Sequence, residues 1–371
     1  MGDVCTIAKY ALLLDEQTAD ALNTAAEALA AETMAMEQAL LQRPELYRAL
    51  GLSRPLRRAL RAACSADPGL RLLRFDFHPC VDGWRLSEVN SDVPGGWAEA
   101  SLLPELVGDA LSMPLRRSER FRFQLGDALC AALCERVPEG GLIGMVHATS
   151  YADDRQVMQF LADRLIAAGR RAQMMAPDHL DWRAAGGARG VQAMVRFFPA
   201  EWLPRLPRRS DWTRFFTHPV PACNHATALL TQSKRLPLLW SRLGVSCPSW
   251  QRWLPETVEA RWSVLAAEAS EWVLKPAWGR VGESITLPGS MKAKNVALAW
   301  LSASFAPEQW LMQRRFHSLP LQMGMGWGHV CVGVFTLGGR ALGYYGRLST
   351  RQRIDEGAQD LAVLVGVEER R

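Results

Sequence analysis

Four polar residues flank an Asp-Gly turn in the segment 74–90. Arg74 and Asp76 are two residues apart, and Glu88 and Asn90 have the same spacing on the other side of the turn. Because the side chains of a β-strand alternate between its two faces, each pair points to one side. Two short strand-like runs around an Asp-Gly pair are typical of a β-hairpin. The sequence therefore predicts a hairpin on which two carboxylates, an amide and an arginine converge.

This group of side chains has the chemistry of a hard-cation site. Magnesium takes oxygen ligands and is commonly held by one or two carboxylates together with substrate phosphates. Arg74, beside them, can bind phosphoryl oxygens through two parallel hydrogen bonds. The alternative interpretation is the exposed polar face of an ordinary antiparallel hairpin.

The second feature is a lysine near the end of a predicted strand, followed by a loop with two glycines. Lys275 lies in the run 272–276, and Gly279 and Gly282 follow it. A lysine at a strand end is a point charge that suits a nucleotide phosphate, and glycines let backbone N–H groups approach phosphates closely. A turn that binds no ligand is the alternative explanation of these glycines.

Another lysine, Lys234, precedes the segment 236–240 within a stretch, 226–243, that has a helical pattern. A lysine at a helix start is unfavourable beside the helix dipole unless an anion is present. The position therefore favours phosphate binding, and an ordinary surface lysine is the alternative.

These strings resemble the glutathionylspermidine synthase family of ATP-grasp ligases. The segment 74–94 resembles the magnesium-binding motif of the family, 275–285 resembles its phosphate loop, and 232–240 resembles a further family landmark. The resemblance covers most of the chain, from about residue 70 to the end. Ordinary ATP-grasp enzymes carry the phosphate-binding lysines before the acidic metal motif. The order is reversed here, which matches the circularly permuted arrangement of this family.

The resemblance implies a role for each of these residues. Arg347 is the best match to a family arginine that contacts the transferred phosphate, with Arg351 and Arg353 as competitors. Gln313 lies where the family leads from the nucleotide pocket toward substrate, although a plain polar strand residue is the alternative. Ser91 and Asp92 follow the metal motif directly and are expected to touch substrate. The implied metal ligands are Asp76, Glu88 and Asn90, the catalytic arginines are Arg74 and Arg347, and the ATP-binding residues are Lys234, Lys275, Gly279, Gly282 and Gln313.

The pattern of elements along the chain predicts an α/β (α+β) fold. Residues 142–198 alternate between strand and helix, which is typical of a small α/β lobe, and the pattern becomes β-rich from residue 272. The resemblance implies a circularly permuted ATP-grasp fold with antiparallel sheets, packed helices and that small lobe. The expected domains are a helical segment with the metal-binding hairpin (1–135), the small α/β lobe (136–225) and an ATP-binding lobe with the phosphate loop (226–371).

Composition argues against nucleic acid and membrane partners. The chain has 43 Lys and Arg against 38 Asp and Glu, a net charge of +5 spread over 371 residues. This modest field suits anionic ligands such as nucleotide phosphates, and without a dense basic tract we expect no nucleic acid partner. No apolar run is long enough to span a bilayer, so we expect no membrane partner. The eight cysteines without a CxxC pair, and the absence of a secretory leader, predict a cytoplasmic protein.

The resulting expectation is an ATP- and Mg2+-dependent ligase that joins a small-molecule acid to a small-molecule amine through an acyl phosphate. The family resemblance also implies a homodimer. Two alternatives remain open: a catalytically inactive relative that binds a nucleotide or a partner, and a basic protein that binds nucleic acid. Magnesium-dependent stabilisation by ATP separates the ligase from the nucleic-acid-binding protein, and ADP production separates it from the inactive relative.

Overall fold

The structure is a computed structural model. It describes residues 6–110, 116–117, 125–182, 190–261, 269–279, 286, 293–324 and 326–367.

The described residues form three sheets, of eight, four and three strands. Helices accompany them, so the mixed α/β fold expected from the sequence is confirmed. In chain order, the strands are β1 (Ile7–Leu14), β2 (Leu72–Cys80), β3 (Gly83–Asn90), β4 (Arg116–Arg117), β5 (Leu142–His147), β6 (Arg171–Met175), β7 (Val191–Phe197), β8 (Ala222–Cys223), β9 (Thr257–Glu259), β10 (Trp272–Pro276), β11 (Trp310–Arg314), β12 (Leu321–Met323), β13 (Gly326–Leu337), β14 (Arg340–Ser349) and β15 (Gln359–Val367).

The longest helix begins at a side-chain cap. Asp15 precedes it and accepts a hydrogen bond from the backbone N–H of Thr18 at 2.7 Å, which satisfies one of the free donors at a helix start. The α-helices of the described residues are α1 (Glu16–Leu41), α2 (Arg54–Leu60), α3 (Trp97–Ala110), α4 (Leu125–Cys134), α5 (Ala152–Ala167), α6 (Arg214–Thr217), α7 (Leu229–Gln232), α8 (Trp240–Leu243), α9 (Pro248–Trp253) and α10 (Ala293–Phe305).

The large sheet joins both ends of the described chain. Its main strand order is β1-β15-β14-β13-β2-β3, with β12 beside β13 and β4 beside β15. The first and last strands pair in parallel, with Leu12 opposite Val363. Neither segment was predicted to be a strand. The buried apolar run 361–365 is a strand signal that was available in the sequence.

The hairpin β2–β3 forms at the predicted place. Arg74 lies opposite Asn90 and Asp76 lies opposite Glu88 in the antiparallel register. On its other side β2 pairs with β13, which places Gly333 opposite Asp76. Arg74 and Asp76 therefore lie on an interior strand of the large sheet, and Glu88 and Asn90 lie on the neighbouring edge strand β3.

The small sheet has the order β6-β5-β7-β8 with all pairs parallel. The three-stranded sheet has the order β10-β11-β9 and is antiparallel. Strands from both ends of the chain share the large sheet. The division into 1–135, 136–225 and 226–371 stays a prediction.

The two larger apolar cores of the described residues cover the centre of the large sheet. One lies between α1, the short helices and one face of the large sheet, and it contains Phe75 and Phe77 of β2. The other connects the small sheet and helices α4 and α5 with Phe335 and Leu337 of β13. Apolar side chains on both faces thus bury the centre of the large sheet, which is what fixes the polar hairpin residues in register.

The predicted helical stretch 226–243 is wrong as a continuous element. It consists of α7, a 3-10 turn at Leu236–Leu239 and α8, and Lys234 lies in the connection after α7. Pro237, which removes a backbone donor, stands inside this stretch and disfavours an unbroken helix. Among the described helices, none is both long and apolar enough to cross a membrane.

Candidate active site

A cavity of about 460 Å³ lies where the three sheets meet. Its walls come from the hairpin β2–β3, from β13 and β14, from β10 and β11, and from segments that follow β5 and β7. Seven of the predicted site residues line it: Arg74, Asp76, Glu88, Asn90, Lys275, Gln313 and Arg347.

Arg74 is held by two strong contacts at the base of this cavity. Its Nε and Nη2 donate to the two carboxylate oxygens of Asp76 at 2.7 and 2.8 Å, and its Nη1 donates to the carbonyl of Gly95 at 2.6 Å. Burial alone would lower the pKa of Arg74, but the charge of Asp76 outweighs it and holds that pKa above its ordinary value. The guanidinium also lies over the Tyr345 ring, 5.0 Å from its centroid.

A glycine on the neighbouring strand makes room for this arginine. A Cβ added at Gly333 would lie 2.7 Å from the Cδ atom of Arg74 and 2.9 Å from an oxygen of Asp76. A side chain at this position would therefore displace the Arg74–Asp76 pair.

The hairpin carboxylates have different neighbours. Asn90 donates through Nδ2 to Asp76 at 2.9 Å. Glu88 instead forms an ion pair with Lys234, at 3.1 Å. Burial would raise the pKa of Glu88, but the positive charges of Lys234 and Lys275 hold it below its ordinary value. Glu88 is therefore a carboxylate with two lysines around it.

Lys275 points into the cavity from β10. Its ammonium donates to Oε1 of Gln313 at 2.6 Å and to the carbonyl of Ser87 at 3.3 Å. Gln313 is fixed in turn, because its Nε2 donates to Thr257 at 3.1 Å. Burial lowers the pKa of Lys275 to about 8, although Glu88 pulls in the opposite direction. Gln313 therefore contacts Lys275 directly and fixes the position of its ammonium group.

Lys234 lies beside the main cavity, in a smaller one of about 30 Å³ that Glu88, Lys275 and Gln313 also line. Besides Glu88, its ammonium contacts the carbonyl of Gly279 at 3.0 Å. The contact joins the second lysine to the start of the predicted phosphate loop. Gly282, the other predicted glycine of that loop, lies outside the described residues.

Arg347 is held by the connection between β14 and β15. Its Nη2 donates to the carbonyls of Asp355 and Ala358 at 2.8 and 3.0 Å. Its Nε is buried and has no hydrogen-bond partner among the described residues. Because Arg347 lines the cavity, its guanidinium is suited to an anionic ligand oxygen there.

The expectation that Ser91 and Asp92 touch substrate is wrong. Both are fully buried and bound inside the protein: Arg71 donates to Ser91, while Arg196 and the backbone N–H of Ala200 donate to Asp92. The expectation rested on their place directly after the metal motif, but buried arginines supply the partners that let these side chains leave water.

The structure adds a residue, Gln232, for which the sequence predicted no role. Its Oε1 accepts hydrogen bonds from the backbone N–H groups of Ser91 and Asp92, both at 2.8 Å. Because Gln232 is two residues from Lys234, it ties the end of the metal-motif strand to the segment that carries the lysine. No local pattern could have revealed it, since the partners are about 140 positions away.

Two further side chains of the hairpin are buried, and one of them, His78, also lines the cavity. The ring of His78 lies 3.1 Å from Oγ of Ser87 and packs on Phe316. Burial and the charge of Lys275 lower the pKa of His78 to about 4, so it is neutral at pH 7. Cys80 is buried, and burial raises the pKa of its thiol to about 11, which disfavours a thiolate nucleophile.

The donor set fits a hard cation. Asp76, Glu88 and Asn90 offer carboxylate and amide oxygens on adjacent strands, and no soft ligand is among them. Across the described chain, no three His, Cys, Asp or Glu side chains cluster in a metal-binding arrangement. A cation here would thus need further oxygens from phosphate or water, which is the usual situation for magnesium.

The class of fold follows from comparison with known proteins. The fold is of the ATP-grasp type, and the chain resembles the structure of a glutathione synthetase-like effector from Globodera pallida in its apo form. That likeness has a TM-score of 0.65 at 10% identity and covers 98% of this chain and 91% of the other.

The chain belongs to the family described as glutathionylspermidine synthase preATP-grasp, whose model matches residues 6–363. The family resemblance of the sequence is thereby confirmed. A crystal structure of D-cycloserine synthetase also matches, with 17% identity over 47% of this chain and 59% of that one, at a TM-score of 0.31. No curated protein sequence matches significantly.

Proposed function

We propose that the protein is an ATP- and magnesium-dependent ligase that joins a carboxylic acid to an amine. The observation that carries this proposal is the convergence, around one cavity, of the opposed carboxylates Asp76 and Glu88 with Lys275, Arg74 and Arg347. Membership of the synthase family supports the same reaction class.

The cationic side chains divide the binding of the triphosphate between them. Lys275 approaches from β10 of the three-stranded sheet, and Lys234 approaches from the connection after α7. Both lie on the side of Glu88. Arg74 and Arg347 project from the large sheet, where they would face the transferred phosphoryl group. Fixed positive groups of this kind stabilise charge in the transition state without reorganisation.

Asp76, Glu88 and Asn90 would hold the magnesium ion. When bound, the ion would neutralise charge on the phosphate oxygens. The protein supplies the rest by position. Arg74 orients Asp76 through two parallel hydrogen bonds, and Asn90 fixes the same carboxylate from the opposite strand.

The proposed reaction has two steps. A carboxylate oxygen of the acid attacks the γ-phosphorus of ATP, the bond to the β–γ bridging oxygen breaks, and ADP leaves. The amine then attacks the carbonyl of the acyl phosphate, loses a proton and releases inorganic phosphate. An acyl phosphate hydrolyses in water, so a cavity with limited solvent access favours the amide product.

The first test is turnover with pooled acids and amines in the presence of magnesium and ATP. We expect ADP release together with a new amide mass. The variant Asp76→Asn should lower the rate by about 100-fold or more, because it removes one carboxylate of the cation site. Asp82→Asn is the matched control, since Asp82 lies in the exposed hairpin turn and pairs only with Arg85 among the described residues.

Binding of Mg·ATP without turnover of any pair would favour the inactive, nucleotide-binding relative. The proposal fails if calorimetry detects no magnesium-dependent binding of ATP, or if Asp76→Asn and Asp82→Asn have the same effect.

A further inference from the structure

The carboxyl ends of strands β5 and β7 in the small sheet lie beside the cavity. The strand order is β6-β5-β7-β8, so β6 and β7 lie on opposite sides of β5. His147 and Phe197, at the carboxyl ends of β5 and β7, are paired in register. In open α/β sheets, ligands bind outside the carboxyl ends of the strands, at the point where the strand order reverses.

The cavity reaches this point. Tyr151 and Asp154 lie just after β5, and Phe197, Pro199 and Trp202 lie at the end of β7 or just after it, and all five line the cavity. Three of them are aromatic: Tyr151, Phe197 and Trp202, named here the aromatic wall. Tyr151 is 59% exposed, so its ring is accessible to a ligand in the cavity.

The aromatic wall adjoins the proposed reaction centre. A Cβ added at Gly95 would lie 3.6 Å from the outer carbon of the Phe197 ring. The carbonyl of the same Gly95 accepts a hydrogen bond from Arg74 at 2.6 Å. A ligand on the wall would thus lie next to the guanidinium expected to face the transferred phosphate.

Two further arginines line the cavity. The buried Nε atom of Arg347 has no hydrogen-bond partner among the described residues, whereas Nε of Arg353 lies 3.4 Å from the carboxylate of Asp355. Charge therefore orients an acid with its carboxylate at the arginines and its apolar part at the wall.

We propose that the aromatic wall is the subsite for the acid substrate, and that this acid carries an aromatic ring or a comparably broad apolar group. The inference rests on the proposed ligase function, because that function requires an acid beside the transferred phosphate. The wall recognises the acid by burial of apolar surface and by ring contacts.

The test is a pair of matched probes, 3-phenylpropionate and propionate, titrated by ligand-observed NMR into the protein with magnesium and the non-hydrolysable nucleotide AMP-PNP. We expect 3-phenylpropionate to bind about tenfold more tightly or better. Trp202→Ala should remove most of this preference while leaving AMP-PNP binding unchanged. Tyr151→Ala, at an exposed position, provides a second variant in case Trp202→Ala fails to fold.

Trp327→Ala is the matched control, because Trp327 is 61% exposed on β13 and does not line the cavity. Equal affinity for the two acids, or equal effects of Trp202→Ala and Trp327→Ala, would overturn the inference while AMP-PNP binding keeps the ligase proposal intact. A preference confined to the amine pair 2-phenylethylamine and ethylamine would overturn the assignment to the acid. Failure of AMP-PNP to bind would overturn both proposals.

Discussion

Gln232 offers the sharpest test of how the site is assembled. Its side chain bridges two segments that carry predicted site residues, since it accepts from the N–H groups of Ser91 and Asp92 and precedes Lys234 by two positions. The substitution Gln232→Ala removes the acceptor and leaves two partly buried N–H donors to find water or stay unpaired. From the cost of an unsatisfied donor we expect a loss of about 1–3 kcal/mol in the free energy of unfolding.

The functional effect should exceed what this loss of stability alone would produce. Without the link from Gln232 to the residues after β3, the segment that carries Lys234 is no longer held in place. The Lys234 ammonium, 3.1 Å from Glu88 in the structure, then loses its fixed position. Misplacement of a charged group by about 1 Å can lower turnover by about 100-fold. We therefore expect KM for ATP to rise and kcat to fall by about 10- to 100-fold at a temperature where the variant is fully folded.

Urea denaturation and steady-state kinetics measure the two effects separately. Gln232→Glu keeps an acceptor oxygen, so it should recover stability but not ATP affinity, because it adds a negative charge near the phosphate site. Gln251→Ala is the control, at an exposed glutamine of α9. Normal kinetics in a destabilised Gln232→Ala protein would refute the positioning argument, because stability and turnover would then be independent.

Other predictions concern buried charge, space and titration. Asp92→Ala leaves the buried guanidinium of Arg196 without its counter-ion, and chemical denaturation should show a loss of about 3–5 kcal/mol that Arg196→Met partly restores in the double variant. Gly333→Ala places a Cβ 2.7 Å from Cδ of Arg74; we expect kcat to fall more than tenfold, and a normal rate would contradict the assigned role of that arginine. Because burial lowers the pKa of Lys275 to about 8, ATP affinity should fall as pH rises through about 8, where the ammonium is lost. Calorimetry should find no such inflection in Lys275→Arg, and an unchanged inflection would assign it to another group.

The sequence by itself determined the hairpin and its polar face. Spacing of two residues puts Arg74 with Asp76 and Glu88 with Asn90, and an Asp-Gly pair specifies a tight turn, so the opposition of the pairs follows from local chemistry. The same kind of short-range pattern predicted the alternating strands and helix of the small lobe. The family and the fold class also followed from these local strings, because each motif is contained within about twenty residues.

Tertiary structure decided which side chains meet. Lys275 contacts Gln313 only because β10 and β11 are antiparallel with Val273 opposite Gln313. The tie from Gln232 to Ser91 and the pairing of β1 with β15 likewise join positions far apart in the chain. Such contacts depend on how layers pack around shared cores, and no local period in the sequence encodes the partner.

Burial was also beyond the sequence. Ser91 and Asp92 were expected to touch substrate, yet both are buried in the interior with Arg71 and Arg196. A polar side chain can be buried when a partner replaces its water, and that partner is identified only by the fold. Local alternation thus set the polar face of the hairpin and local strings named the lysines, whereas long-range packing decided which of these side chains meet and added Gln232 and the aromatic wall.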